Sequence, residues 1–138
     1  MNLIFVGNWQ ASDYGCELID RYSSIANMKL LDPIYNLDVL AMYRRNCRVY
    51  IHGHSAGGTN PSLVEMMHFE KPIIAFDCVY NRATMEDKGQ YFSSSSSLSK
   101  SIKTPECFEE GKELGDIARR RYTWSVVRAQ YHKLFDFK

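Results

Sequence analysis

The stretch His52-Gly53-His54-Ser55-Ala56-Gly57-Gly58-Thr59-Asn60-Pro61 concentrates residue types that can hold an anion. Gly57 and Gly58 let a backbone approach a ligand closely and adopt positive φ. Asn60 is a good helix N-cap, and Pro61 suits the first helical position. A glycine-rich coil running straight into a helix start gathers unpaired N–H groups and a partial positive charge at one point. Phosphate or diphosphate is the natural ligand for such a point. The same pattern also serves as a plain turn, and spacing alone leaves both readings open. Glu65 follows in the second helical turn. A carboxylate there can accept from two hydroxyls, the way acidic residues grip ribose. It is equally at home as a solvent-facing glutamate near a helix N-terminus. His54 and Asn60 are the polar candidates beside a sugar or phosphate, with Ser55 and Thr59 between them. Asn81 and Arg82 follow the fourth apolar run and can reach the same crevice. Arg82 can neutralise phosphate there or act as an ordinary surface arginine.

Other chemistries find less support. The lysine of a GxxxxGK[ST] loop is absent, and no GxGxxG follows the first apolar run, so neither a P-loop nor a dinucleotide fingerprint is present. His52 and His54 alternate at a strand end and are expected on opposite sides. With no third ligand in view, no metal site is expected, nor any cofactor. Cys16, Cys47, Cys78 and Cys107 form no CxxC pair. They read as reduced thiols, some of them packed in a core. No catalytic residue is assigned.

The elements that must position these groups alternate. Leu3-Ile4-Phe5-Val6 is a compact apolar run ending at Gly7, read as a buried strand. A helix is expected over 14–26 and a second strand at 28–31. Asn36 or Asp38 can cap a helix carrying Leu37, Leu40, Ala41 and Tyr43, with Arg44, Arg45 and Arg48 near its end, where cations suit the dipole. Strands follow at 48–51 and 72–76, with a helix over 62–69 between them whose inner face is Leu63, Met66 and Met67. A short helix over 81–88, a fifth strand at Tyr91-Phe92, and a serine run at 93–97 forming a loop or helix start come next. Helices over 106–121, with Phe108, Leu114, Ile117 and Ala118, and over 122–135, with Trp124, Val127, Tyr131 and Leu134, close the chain. Alternation of this kind predicts an α/β domain: a Rossmann-like parallel sheet of about five strands with helices on both faces. Ligands of such sheets bind at the carboxyl ends of the strands, where the glycine coil lies.

Composition sets the bounds. The 138 residues amount to one domain, 1–138, with 45% apolar and 24% charged residues. Seventeen Lys and Arg against 16 Asp and Glu give a net charge of +1. That balance argues against a nucleic-acid binder. The opening residues lack a basic region and long apolar stretch of the export type, so the expected location is cytoplasmic.

The run from His54 through Pro61, Ser62-Leu63-Val64-Glu65-Met66-Met67 and Lys71-Pro72-Ile73-Ile74-Ala75 resembles the donor-site signature of family 4 (group 1) glycosyltransferases. Its bacterial rhamnosyltransferase-like branch carries HGHSxGGTNPSLxEAM, then a strand and an Asn-Arg segment, here Asn81-Arg82. Arg121-Tyr122-Thr123-Trp124 through Tyr131 is similar to the family's closing helix.

The resemblance implies the C-terminal, donor-binding half of a GT-B enzyme. Its intact form would transfer a sugar from a nucleotide-diphosphate sugar to a polysaccharide or lipid-linked acceptor. Glu65 matches the second of two family glutamates, the one that holds ribose; the first falls on Gly57, so the usual carboxylate contact to the sugar is missing. The branch suggests a deoxy sugar such as rhamnose. Leu3 to Trp9 resembles the family's second strand of that domain, and the first βα unit has no counterpart. Absence of that strand would leave unpaired edges at 3–6 and 48–51, which either pair directly or take a strand from another chain, with a homo-oligomer as one outcome. Two alternatives stand beside this reading. A nucleotide-sugar epimerase would need no acceptor. A receiver-like interaction module would need an acidic pair after the first strand, where this chain has none, though Asp77 lies at the sheet's carboxyl edge.

Overall fold

A computed structural model describes residues 2–103 and 110–135. The chain divides into two compact units, Met1–Tyr43 and Arg44–Lys138. In the first, β1 (Leu3–Val6) and β2 (Met28–Leu31) form a parallel ladder with Leu3 opposite Met28 and Val6 opposite Leu31. A 3-10 turn at Trp9–Ala11 leads into α1 (Asp13–Tyr22). Ser12 caps α1, its Oγ accepting from Gly15 N at 3.1 Å. The Trp9 indole donates to the Leu31 carbonyl at 2.8 Å and ties the turn to the end of β2. α2 (Leu37–Asn46) begins under Asn36, whose side chain accepts from Asp38 N and Val39 N at 3.0 and 3.1 Å, and the division between the units falls within it.

The second unit carries β3 (Tyr50–His52), α3 (Pro61–His68), β4 (Ile73–Phe76), α4 (Val79–Met85), β5 (Gln90–Phe92), α5 (Ser95–Lys103), α6 (Glu110–Arg121) and α7 (Trp124–Phe135). Its sheet runs β3-β4-β5, all parallel, with Tyr50 opposite Ile73 and Phe76 opposite Phe92. Among the described residues the five expected strands are present and parallel in an α/β fold, but in two ladders, and β1, expected to be buried, leaves Ile4, Phe5 and Val6 more than 40% exposed because its only ladder partner is β2. Direct pairing of 3–6 with 48–51 does not occur: β1 pairs with β2, and β3 with β4.

One core holds the second unit together. Leu63, Met66 and Met67 from α3 meet Ile73 and Ala75 of β4, Met85 of α4, and Leu114, Ile117 and Ala118 of α6. Full burial of a Leu, Ile or Met side chain contributes about 1.5–3 kcal/mol. The helical spacing read from the sequence identified these α3 and α6 faces. Cys107 and Phe108 lie outside the described residues.

Local differences have local causes. α4 starts two residues earlier than expected, because Cys78 takes the extended N-cap conformation, and it stops at Glu86, whose φ of 51° is left-handed. The serine run is a helix start: Ser94 Oγ accepts from Ser97 N, and Ser97 Oγ accepts from the amides of Ser93 and Ser94. The α7 stripe is on the surface, with Trp124 88% and Leu134 71% exposed. Among the described residues no helix is long and apolar enough to cross a membrane.

Candidate functional site

β3 ends at His52, and the chain leaves the sheet as a coil through Thr59 before α3 begins. Residues 53–59 are all exposed. Gly57 has φ of 89°, a left-handed backbone that only glycine adopts freely, and this turns the coil toward α3. Asn60 then caps the helix: its φ and ψ are −85° and 124°, and its Oδ1 accepts from Ser62 N at 2.9 Å. Pro61 occupies the first turn, where its missing N–H costs nothing. Among the described residues, no partner is found for the backbone N–H groups of 54–59. The helix start read from the sequence is therefore an open array of amides beside the positive end of α3. The hydroxyls of Ser55 and Thr59 lie in the same exposed coil.

Asn81 is turned inward beside the coil. It is 3% exposed, and its Nδ2 donates to the His54 carbonyl at 2.8 Å and the Phe76 carbonyl at 2.9 Å. It pins the start of the coil to the end of β4, placing the amides rather than offering its own donor. Arg82, read as a neutraliser of phosphate, is engaged elsewhere. Its Nε and Nη2 donate to the two Asp77 oxygens at 2.6 and 2.9 Å, its Nη1 to Asp87 Oδ1 at 3.1 Å, and it lies 4.2 Å from the centroid of the Tyr91 ring. Asp77 and Asp87 lie five residues to either side, and the turn of the short α4 brings both to it. The hydrogen bond from Arg82 holds the Asp77 carboxyl below its ordinary range.

The two histidines depart from simple alternation. His52 and His54 stack with ring centroids 4.9 Å apart and planes at 21°. They share a side because the strand stops at His52, so the pleat no longer governs His54. The Tyr50 hydroxyl meets His52 Nδ1 at 3.3 Å, while the buried Nε2 has no partner. His52 is 1% exposed, and burial, then the neighbouring His54, pushes its pKa down to about 4. The unfolded chain binds this proton near pH 6.5 and the folded chain only near 4. Stability is therefore full above pH 6.5 and falls as pH drops from 6.5 to 4, by on the order of 2 kcal/mol. Urea midpoints measured across that interval should fall less in His52→Gln than in wild type; parallel curves would remove His52 as the cause.

Glu65 stands in the second turn of α3 with its side chain 54% exposed. Its Oε2 is 2.5 Å from Nη2 of Arg44, which is itself only 19% exposed. Sequence reasoning missed this partner, assigning Arg44 to the α2 dipole alone; no local pattern joins the end of α2 to α3. Among the described residues, no three His, Cys, Asp or Glu side chains gather as a metal site.

No protein-family model and no curated protein sequence matches the chain. Solved structures do. HepE of Anabaena in complex with UDP matches at 19% identity over 97% of this chain and 40% of that one, TM-score 0.77. TarM matches at 14% identity over 99% and 29%, TM-score 0.78. Sucrose-phosphate synthase from Thermosynechococcus elongatus matches at 18% identity over 97% and 37%, TM-score 0.76. The chain thus spans 29% to 40% of the length of these proteins. Its parallel βα units superimpose on them nearly throughout, and the chain has the fold of the C-terminal half of GT-B glycosyltransferases.

Proposed function

We propose that this chain is the donor-binding half of a glycosyltransferase, holding a nucleotide-diphosphate sugar at the coil before α3. The observation that carries the reading is the exposed run of unpaired amides at 54–59, ending on the N-cap Asn60. It lies in a fold whose neighbour HepE was solved with UDP and with UDP-glucose. The diphosphate meets the coil amides and the positive end of α3; Glu65 accepts from the pentose hydroxyls. When the bond from the sugar's anomeric carbon to the diphosphate oxygen breaks, negative charge grows on the leaving diphosphate. Preorganised amides stabilise that charge by roughly 3 kcal/mol each. His54, Ser55 and Thr59 carry the side chains within this run that can donate to the sugar or phosphate. The transferred group is a hexosyl or rhamnosyl unit, and the acceptor, a polysaccharide or lipid-linked saccharide, meets residues of a partner domain. The chain alone is accordingly inactive in transfer.

Titration calorimetry with UDP, dTDP and GDP tests this. At least one should bind, and Glu65→Ala should weaken it about tenfold with the melting temperature little changed, since Glu65 is 54% exposed and a pair open to water on that side contributes about 1 kcal/mol to stability. No binding by any of the three, together with no effect of Glu65→Ala, would sink the reading.

A further inference from the structure

We propose that Arg44 is the positioning residue of the nucleotide site, holding Glu65 in the orientation that receives the pentose hydroxyls; this rests on the reading of Glu65 given above. Two points carry it. Arg44 and Arg45 are neighbours at the end of α2, yet Arg45 is exposed and Arg44 is largely covered, with its Nη2 on Glu65 Oε2. A guanidinium nitrogen on one carboxylate oxygen restricts where the side chain points while leaving the Oε1 lone pairs for other donors.

A glutamate on an exposed helix turn samples several rotamers, and a ligand that needs one of them must order it. Arg44 supplies that order before the ligand arrives, which raises affinity without a direct contact. The effect belongs to ligands with a pentose and not to the diphosphate alone.

Calorimetry on the chain with two probes, UDP and inorganic pyrophosphate, separates the possibilities. Arg44→Gln should weaken UDP about tenfold and leave pyrophosphate unchanged. Arg44→Lys keeps the charge but not the planar fork, and should recover part of the loss. Adding Arg44→Gln to Glu65→Gln should cost nothing further, because the two residues act as one unit. If Arg44→Gln and Arg44→Lys bind UDP as wild type while Glu65→Gln does not, Arg44 has no positioning role and the pentose reading survives. The positioning role also fails if Arg44→Gln weakens pyrophosphate as much as UDP. If Glu65→Gln itself leaves UDP affinity unchanged, the pentose reading falls first and the role of Arg44 with it.

Discussion

In calorimetric titrations with UDP, Gly58→Asp should raise the dissociation constant at least about a hundredfold while leaving the melting temperature within a degree or two of wild type. Two unit charges 4 Å apart interact by about 4 kcal/mol at an effective dielectric of 20, more than a hundredfold in binding. The substitution places a carboxylate among the amides assigned to the diphosphate. Nothing in the fold resists it: a Cβ built on Gly58 meets no atom within 4 Å, and its φ is not in the left-handed region. Gly57, at φ of 89°, would confuse strain with charge, which is why Gly58 is the better site. Gly58→Ser, neutral and nearly as small, is the control and should bind within a few-fold of wild type. Wild-type affinity in Gly58→Asp would mean that the nucleotide does not sit at this coil.

The largest effect on stability is expected at Gly111. α6 crosses the end of α3 so closely that a Cβ on Gly111 would run into the carbonyl oxygen of Glu70, 2.8 Å from its carbon and 3.1 Å from that of Lys71. These are backbone atoms, and Glu70 already holds a left-handed φ of 55°, so the segment has little freedom to retreat. Forced overpacking of this kind costs about 3 kcal/mol. Alanine's helix preference over glycine returns about 1 kcal/mol. Gly111→Ala should therefore lower stability by about 2 kcal/mol or more, near 6–10 °C in melting temperature for a chain of this size.

Gly115, one turn on, is the matched comparison. Its Cβ would meet Glu70 Cγ at 2.7 Å, Glu70 Oε1 at 3.1 Å and Arg119 Nη1 at 3.3 Å, all in surface side chains able to move. Their ion pair would shift, the helix would gain its propensity term, and Gly115→Ala should be nearly neutral. Equal melting temperatures for the two variants would show that the close approach of α6 to Glu70 is not what the glycine serves.

What could be read without coordinates depended on neighbours along the chain. A cap needs one side chain and the amides two or three residues on, so Asn60 with Pro61 marked the start of α3 correctly, while for α2 the sequence left Asn36 and Asp38 open and the structure uses Asn36. Gly57 announced a turn because positive φ is a property of the single residue. The apolar period of α3 and α6 named the core, since helical spacing alone decides which side chains share a face. The serine run needed only its own hydroxyls to become a helix start. Tertiary structure decided everything that joins distant segments. It gave Arg82 to Asp77 and Asp87, turned Asn81 inward to brace the His54 carbonyl, stacked His54 on His52 once the strand had ended, and set Arg44 of α2 against Glu65 of α3. It also sorted the five strands into two ladders. Side-chain type declares what chemistry is possible, but a charged or polar group takes whichever partner the packed elements bring within about 3 Å, and that distance is set by the whole fold.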